Sequence, residues 1–217
     1  VAVTYGGTRI VASGDYKDVR DPTCASFELV PCDVFITEAT FGLPVFRHGR
    51  ADDEVRKLLA SVRLFPERAH LVGAYSLGKA QRVIALLREA GYDKTIYLHG
   101  AVEKITRYYE ERGVKLGPLA LVRGTNKGEL AGTITICPPS ATQDVWTRRF
   151  PDPLACFASG WMRVRARARQ GGIELPLVIS DHADWPGLTK TIHETGASEI
   201  WVTHGQEDAL VHWCKTQ

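Results

Sequence analysis

Two stretches near the C-terminus constrain this chain most. Leu177-Val-Ile-Ser-Asp181-His182-Ala-Asp184-Trp185 and Ile200-Trp-Val-Thr203-His204-Gly205 are both apolar, β-branched runs that end in a polar cluster carrying one histidine. Such runs suit buried strands. Between them, Asp184 to Thr195 has helical character: Asp184 is a plausible N-cap, Pro186 falls in the first turn and Gly196 closes the end. A strand–helix–strand unit of this kind brings His182 and His204 to one sheet edge, and the carboxyl ends of strands are where open α/β sheets bind ligands. The plainer reading of either histidine alone is a hydrogen bond to the backbone. The pair, with carboxylates beside the first, favours a site.

The N-terminal region repeats this arrangement with acids. Val1 to Tyr5 and Arg9 to Ser13 read as strands joined by Gly6-Gly7, a two-residue hairpin signal. The second strand runs into Gly14-Asp15. Asp33 to Thr37 reads as a third strand, running into Glu38-Ala39-Thr40. Four strand ends therefore present Asp15, Glu38, His182 and His204, all of types that bind metals or move protons. For Asp15 alone, a turn or cap residue is the plainer reading.

Beyond Pro44 the pattern becomes alternating β and α. Helical spacing over Asp52 to Phe65, a strand at His70 to Ala74, and a helix opened by Leu77-Gly78-Lys79-Ala80-Gln81 come first. A strand at Thr95 to Leu98, a helix over Val102 to Arg112 and strands at Thr133 to Cys137 and Cys156 to Ser159 follow. The alternation predicts a parallel sheet with helices on its faces. Leu116 to Gly132 is richer in glycine and reads as looped. In Trp161-Met-Arg163-Val-Arg165-Ala-Arg167-Ala-Arg169, arginine at every second position would line one face of an extended segment. That face is either a solvated edge or a set of phosphate contacts, for which the guanidinium fork is suited.

Composition adds limits. With 44% hydrophobic and 24% charged residues the chain is of ordinary globular character, and a net charge of +2 does not by itself argue for nucleic acid. Five scattered cysteines without CxxC spacing argue against a thiolate zinc site and a disulfide framework, and suit a reducing cytoplasm. No run is long and apolar enough to span a bilayer, so no membrane partner is expected.

Taken in order, Ser13-Gly14-Asp15-Tyr16-Lys17, Thr37-Glu38-Ala39-Thr40-Phe41-Gly42, Leu77-Gly78-Lys79-Ala80-Gln81, Ser180-Asp181-His182-Ala183-Asp184 and Thr203-His204-Gly205 resemble the β-CASP branch of the metallo-β-lactamase superfamily. The bacterial ligase-associated DNA exonucleases, also described as mRNA 3′-end processing exonucleases, are the subgroup most resembled. The resemblance implies an α/β fold: the C-terminal part of a metallo-β-lactamase αββα sandwich, residues 1–45 and 173–217, with an inserted β-CASP cap, residues 46–172, over the metal face. It implies a nuclease hydrolysing phosphodiester bonds, of DNA in preference to RNA, in repair or end processing. Asp15 and His204 would ligate two divalent metals, zinc or else manganese; His182 and Glu38 would be catalytic, the acid supporting the histidine. Asp181, Asp184 and Thr40 would support them from behind, and Lys79, Arg163, Arg165 and Arg167 would contact the nucleic acid. A DNA ligase neighbour is implied by the subgroup. The superfamily's His-x-His-x-Asp-His motif is absent: among seven histidines, no two are separated by one residue. The chain also opens inside a strand without an initiator methionine, so these 217 residues are expected to be an incomplete portion, inactive alone, whose bared sheet faces put it at risk of dimerisation or swapping. Competing expectations are a non-catalytic nucleic-acid-binding module and a small-molecule ester or lactam hydrolase of the same fold.

Overall fold

In chain order the first elements are β1 (Ala2–Tyr5), β2 (Thr8–Ala12), β3 (Val34–Ala39), α1 (Ala51–Leu64), β4 (His70–Gly73), α2 (Lys79–Glu89), β5 (Ile96–Leu98) and α3 (Gly100–Glu111). β6 (Leu119–Leu121), β7 (Ile134–Cys137), β8 (Leu154–Ala158), α4 (Arg165–Gln170), β9 (Leu175–Leu177), α5 (Trp185–Thr195), β10 (Glu199–Gly205) and α6 (Glu207–Thr216) complete it. The computed structural model describes all 217 residues, which divide into two units. One comprises Val1–Asp21, Ala25–His48 and Ser180–Gln217; the other comprises Pro22–Cys24 and Gly49–Ile179. The chain is α/β with parallel sheets, as the alternating pattern predicts, and none of its helices is long and apolar enough to cross a membrane.

The first unit holds a four-stranded sheet in the order β1-β2-β3-β10. The Gly6-Gly7 hairpin pairs β1 antiparallel to β2, while β3 runs parallel to both β2 and β10. Three parallel strands thus end on the same edge, which is what gathers Asp15, Glu38 and His204 there. Cross-strand partners share a face. The row Val11, Phe35 and Ile200 faces α5 and α6, packing with Leu188, Ile192 and Leu210. The opposite rows, Val3–Ile10–Val34 and Ala12–Ile36–Trp201, are unevenly covered: Val34 is buried, but Val3 is 57% exposed and Trp201 51%.

The second unit is built on a six-stranded, all-parallel sheet in the order β6-β5-β7-β4-β8-β9. Its strands read as continuous apolar runs because both faces are covered. Val55, Leu58 and Val62 of α1, Val83, Ile84 and Leu87 of α2 and Val102 of α3 bury one face with Val72, Ile134 and Ile136. Leu71, Cys137, Leu130 and Phe150 fill a smaller core on the other.

Three expectations need correcting. Residues 116–132 contain β6 and a 3₁₀ turn, Lys127–Leu130; β6 is only three residues long and half-buried, too short for a period to show. The segment after Trp161 is not extended: a 3₁₀ turn, Gly160–Arg163, leads into α4. Alternate residues on a helix lie about 200° apart, so Arg163, Arg165, Arg167 and Arg169 do not share a face. The run from Leu177 to Ser180 is not a strand of the histidine-bearing sheet; β9 ends at Leu177 and pairs with β8 in the other unit. Of the two units, β9 belongs to the larger, which runs on to Ile179.

Gly205 shows why the last strand ends as it does. Its φ is 138°, and a Cβ there would lie 2.2 Å from the Ala39 carbonyl oxygen, so only glycine lets β10 run this close to β3. Gly205→Ala should therefore lower stability by about 2–4 kcal/mol through backbone displacement at this edge; urea unfolding of the variant measures it, and an unchanged midpoint would contradict the close approach.

Candidate functional site

The site starts at β3. Glu38 occupies its penultimate position and is 2% exposed, and a buried carboxylate must be matched by donors. Three N–H groups do so. The Thr40 main chain donates to Oε2 at 3.1 Å and the Tyr16 main chain to Oε1 at 3.3 Å. The His182 Nδ1–H points at both oxygens, 3.2 Å from each. Burial pushes the Glu38 carboxyl up, but hydrogen bonds from His182 and Thr40 and the charge of His182 outweigh it. The group ends below the ordinary carboxylate range.

His182 reaches this acid from a short loop rather than a strand end. Its main-chain N–H donates to Ser180 Oγ, and the same hydroxyl donates to the His182 carbonyl, both at 3.0 Å. The next residue, Ala183, donates its N–H to the Tyr16 carbonyl at 2.7 Å. Asp184 then caps α5, accepting from the Gly187 N–H at 3.1 Å and, through its other oxygen, from the His48 N–H at 2.6 Å. The helix runs back along the sheet into β10, so its N-terminus lies at the edge where β2, β3 and β10 end. Gly196 follows it in the left-handed conformation, as expected of a helix stop.

Asp15 follows β2 through Ser13, whose N–H still bonds to Ile36, and Gly14. Its carboxylate is 60% exposed, with one oxygen 3.9 Å from His182 Nδ1. Asp15, Glu38 and His182 bring their ligand atoms within 4.8 Å of one another. His204 does not join them. Thr203 pairs with Glu38 and Gly205 with Ala39, so His204 is the bulged residue between, exposed and in the left-handed region at φ 58°. The expected single pocket thus holds three of the four side chains, with the fourth beside it on the neighbouring strand.

The remaining expected residues divide by burial. Thr40 meets Glu38 through its main chain. Asp181 lies half-buried on the His182 loop. The Asp184 carboxylate is taken up by α5 and His48. Lys79 is 4% exposed and donates to the Ile179 carbonyl at 2.9 Å, so its ammonium ties two segments inside the larger unit. The helical turn that separates Arg163, Arg165 and Arg167 leaves all three exposed, and the Arg167 guanidinium lies 4.0 Å over the Trp161 ring. Two contributors were not anticipated. Ser180 could have been suspected as a hydroxyl two residues before the histidine; Tyr16 gave no signal beyond being aromatic in a polar turn. Burial pushes the Tyr16 phenol up to about 12, only partly offset by the Thr191 and Thr37 hydroxyls.

This donor set suits a divalent metal in kind but not in number. Carboxylate and imidazole are zinc and manganese ligands. Glu38, however, already accepts from three N–H groups and acts behind His182, leaving Asp15 and the nearby His204 as the donors with the right chemistry. Two zinc ions need more ligands than these.

No family model matches the chain. Over 202 residues, 90% of its length, it is 24% identical to a protein of Opitutus terrae (strain DSM 11246 / JCM 15787 / PB90-1) named "Probable DNA ligase". The chain spans only 19% of that relative. Among solved structures it matches a protein of unknown function from Enterococcus faecalis V583 with a TM-score of 0.53 and 13% identity. The match covers 94% of this chain and 54% of that one, and it shows a shared fold.

The sign of the Glu38 effect is testable. A carboxyl held low in the folded state stabilises it fully above the unfolded value of about 4.3. That stability is lost as pH falls through the depressed folded value. Urea midpoints of the wild type should therefore fall steeply below about pH 4, while Glu38→Gln should start lower at neutral pH and show a flatter acid limb; parallel curves would contradict this account.

Proposed function

We propose that this chain forms part of a metal-dependent nuclease of the β-CASP metallo-β-lactamase type, acting on the phosphodiester bonds of DNA. The observation that carries the reading is the Asp15–Glu38–His182 constellation, built at the carboxyl edge of a parallel sheet by three separate chain segments in the order the resemblance requires. The name of the Opitutus terrae relative supports DNA rather than RNA as the substrate class. The exposed apolar side chains on one face of the four-stranded sheet support the αββα sandwich, since a second sheet packing on Val3, Ile10 and Trp201 would bury them.

In this reading the buried Glu38 holds the proton on His182 Nδ1, so Nε2 is the atom that exchanges a proton or hydrogen bond with a phosphate oxygen. Asp15, with one face in water, and His204 are the residues that would hold metal, with further donors from outside these 217 residues. Divalent ions in such a site supply a low-pKa water and clamp phosphate oxygens. Exposed Arg163, Arg165 and Arg167 would guide the nucleic acid by charge around a helical turn rather than along a ribbon. The shortfall of metal donors also favours a second reading, in which the chain binds nucleic acid without cleaving it.

One experiment separates the two. The polypeptide carrying this chain at its native length is assayed on end-labelled DNA with zinc or manganese. Nuclease function predicts cleavage that His182→Ala lowers by about 10²–10⁴-fold; binding alone predicts none in the wild type. Arg167→Ala should leave cleavage chemistry intact and reduce the slope of log affinity against log salt by about 0.9 if it meets a phosphate. An unchanged slope would remove that residue from the path.

A further inference from the structure

We propose that Tyr16 is the positioning residue of the Glu38–His182 pair, its ring serving as the anchor that sets where one stretch of main chain meets both partners. The inference rests on the reading of that pair as the proton-transfer unit. Tyr16 is the one residue whose N–H donates to Glu38 and whose carbonyl accepts from the residue after His182, at 3.3 and 2.7 Å. Its main chain lies outside every strand and helix. The last ladder bond before it is from the Ser13 N–H to Ile36, so regular pairing does not fix its position.

The side chain does. Tyr16 is 7% exposed, its ring stacked on Phe27 with centroids 5.2 Å apart and planes 22° from parallel, and packed in one core with Val11, Phe35, Trp185, Leu188 and Ile192. That core joins β2, β3 and α5: Asp15 follows the first, Glu38 lies in the second and His182 precedes the third. A ring clamped there leaves little freedom to the two peptide groups attached to it. The hydroxyl is a lesser part of the anchor, because it is enclosed yet makes no full hydrogen bond with a neighbour. Removing it should cost little, whereas replacing the flat ring should let the main chain shift.

The test reads the pair directly and needs no substrate. In ¹⁵N-labelled protein, the His182 Nδ1–H facing Glu38 should give a downfield proton signal protected from exchange. Tyr16→Phe should keep that signal; Tyr16→Leu, matched in apolar character but without the ring, should lose or broaden it while the protein still melts cooperatively. If Tyr16→Leu does not fold, Phe27→Leu decides: broadening supports the anchor and an unchanged signal overturns it. A folded Tyr16→Leu with the wild-type signal, or a wild type without any such signal, would also overturn the proposal. Absence of DNA cleavage by the wild type would instead count against the nuclease reading and leave this result standing.

Discussion

One buried carboxylate organises the smaller unit. Glu38 sits where water cannot serve it, and its charge persists only because three N–H groups converge on it from three parts of the chain. An unmatched buried carboxylate would be protonated instead. The main chains of residues 16 and 40 and the ring of His182 must therefore come together when this unit folds. Distant pieces of sequence are brought together by the electrostatic demand of a single side chain, and the imidazole is oriented as a consequence.

The sheet provides the edge on which this can happen. Because β2, β3 and β10 are parallel, their polar extensions leave on the same side, and α5 returns its N-terminus there. The close approach at Gly205 and the bulge at His204 end the last strand beside Glu38 without carrying His204 into the cluster. His204 is thus available for a different partner from the one that holds His182. Asp15, largely in water, is likewise not saturated as Glu38 is. Burial alone separates the two acids: Glu38 is enclosed and orients the imidazole, while Asp15 keeps most of its carboxylate in water.

Much of this was legible in the sequence, and the failures have identifiable causes. The Gly6-Gly7 hairpin, the α5 cap at Asp184 and the α/β alternation were readable because turn chemistry and hydrophobic period are local. The nearness of Asp15, Glu38 and His182 was readable because each follows or ends an apolar run. The strand assigned before His182 was not, since a short apolar run does not say which sheet it joins: Leu175 to Leu177 pairs with β8 in the larger unit. The arginine alternation misled because a period of two over few residues is weak against the alanines at 166 and 168, which favour helix. The burial of Lys79 was not legible, because a motif does not show which of its side chains are enclosed. Tyr16 acts through its main chain, which leaves no pattern to read, whereas the Ser180 hydroxyl two residues before His182 was a signal passed over.

The central claim is that Glu38 and His182 are one coupled unit. A double-mutant cycle of Glu38→Gln and His182→Asn, measured by urea unfolding at neutral pH, tests it most directly. The structure predicts that the two losses are not additive, with a coupling of about 1–3 kcal/mol, as befits a hydrogen bond to a buried charge. Additive losses, with coupling indistinguishable from zero, would contradict it.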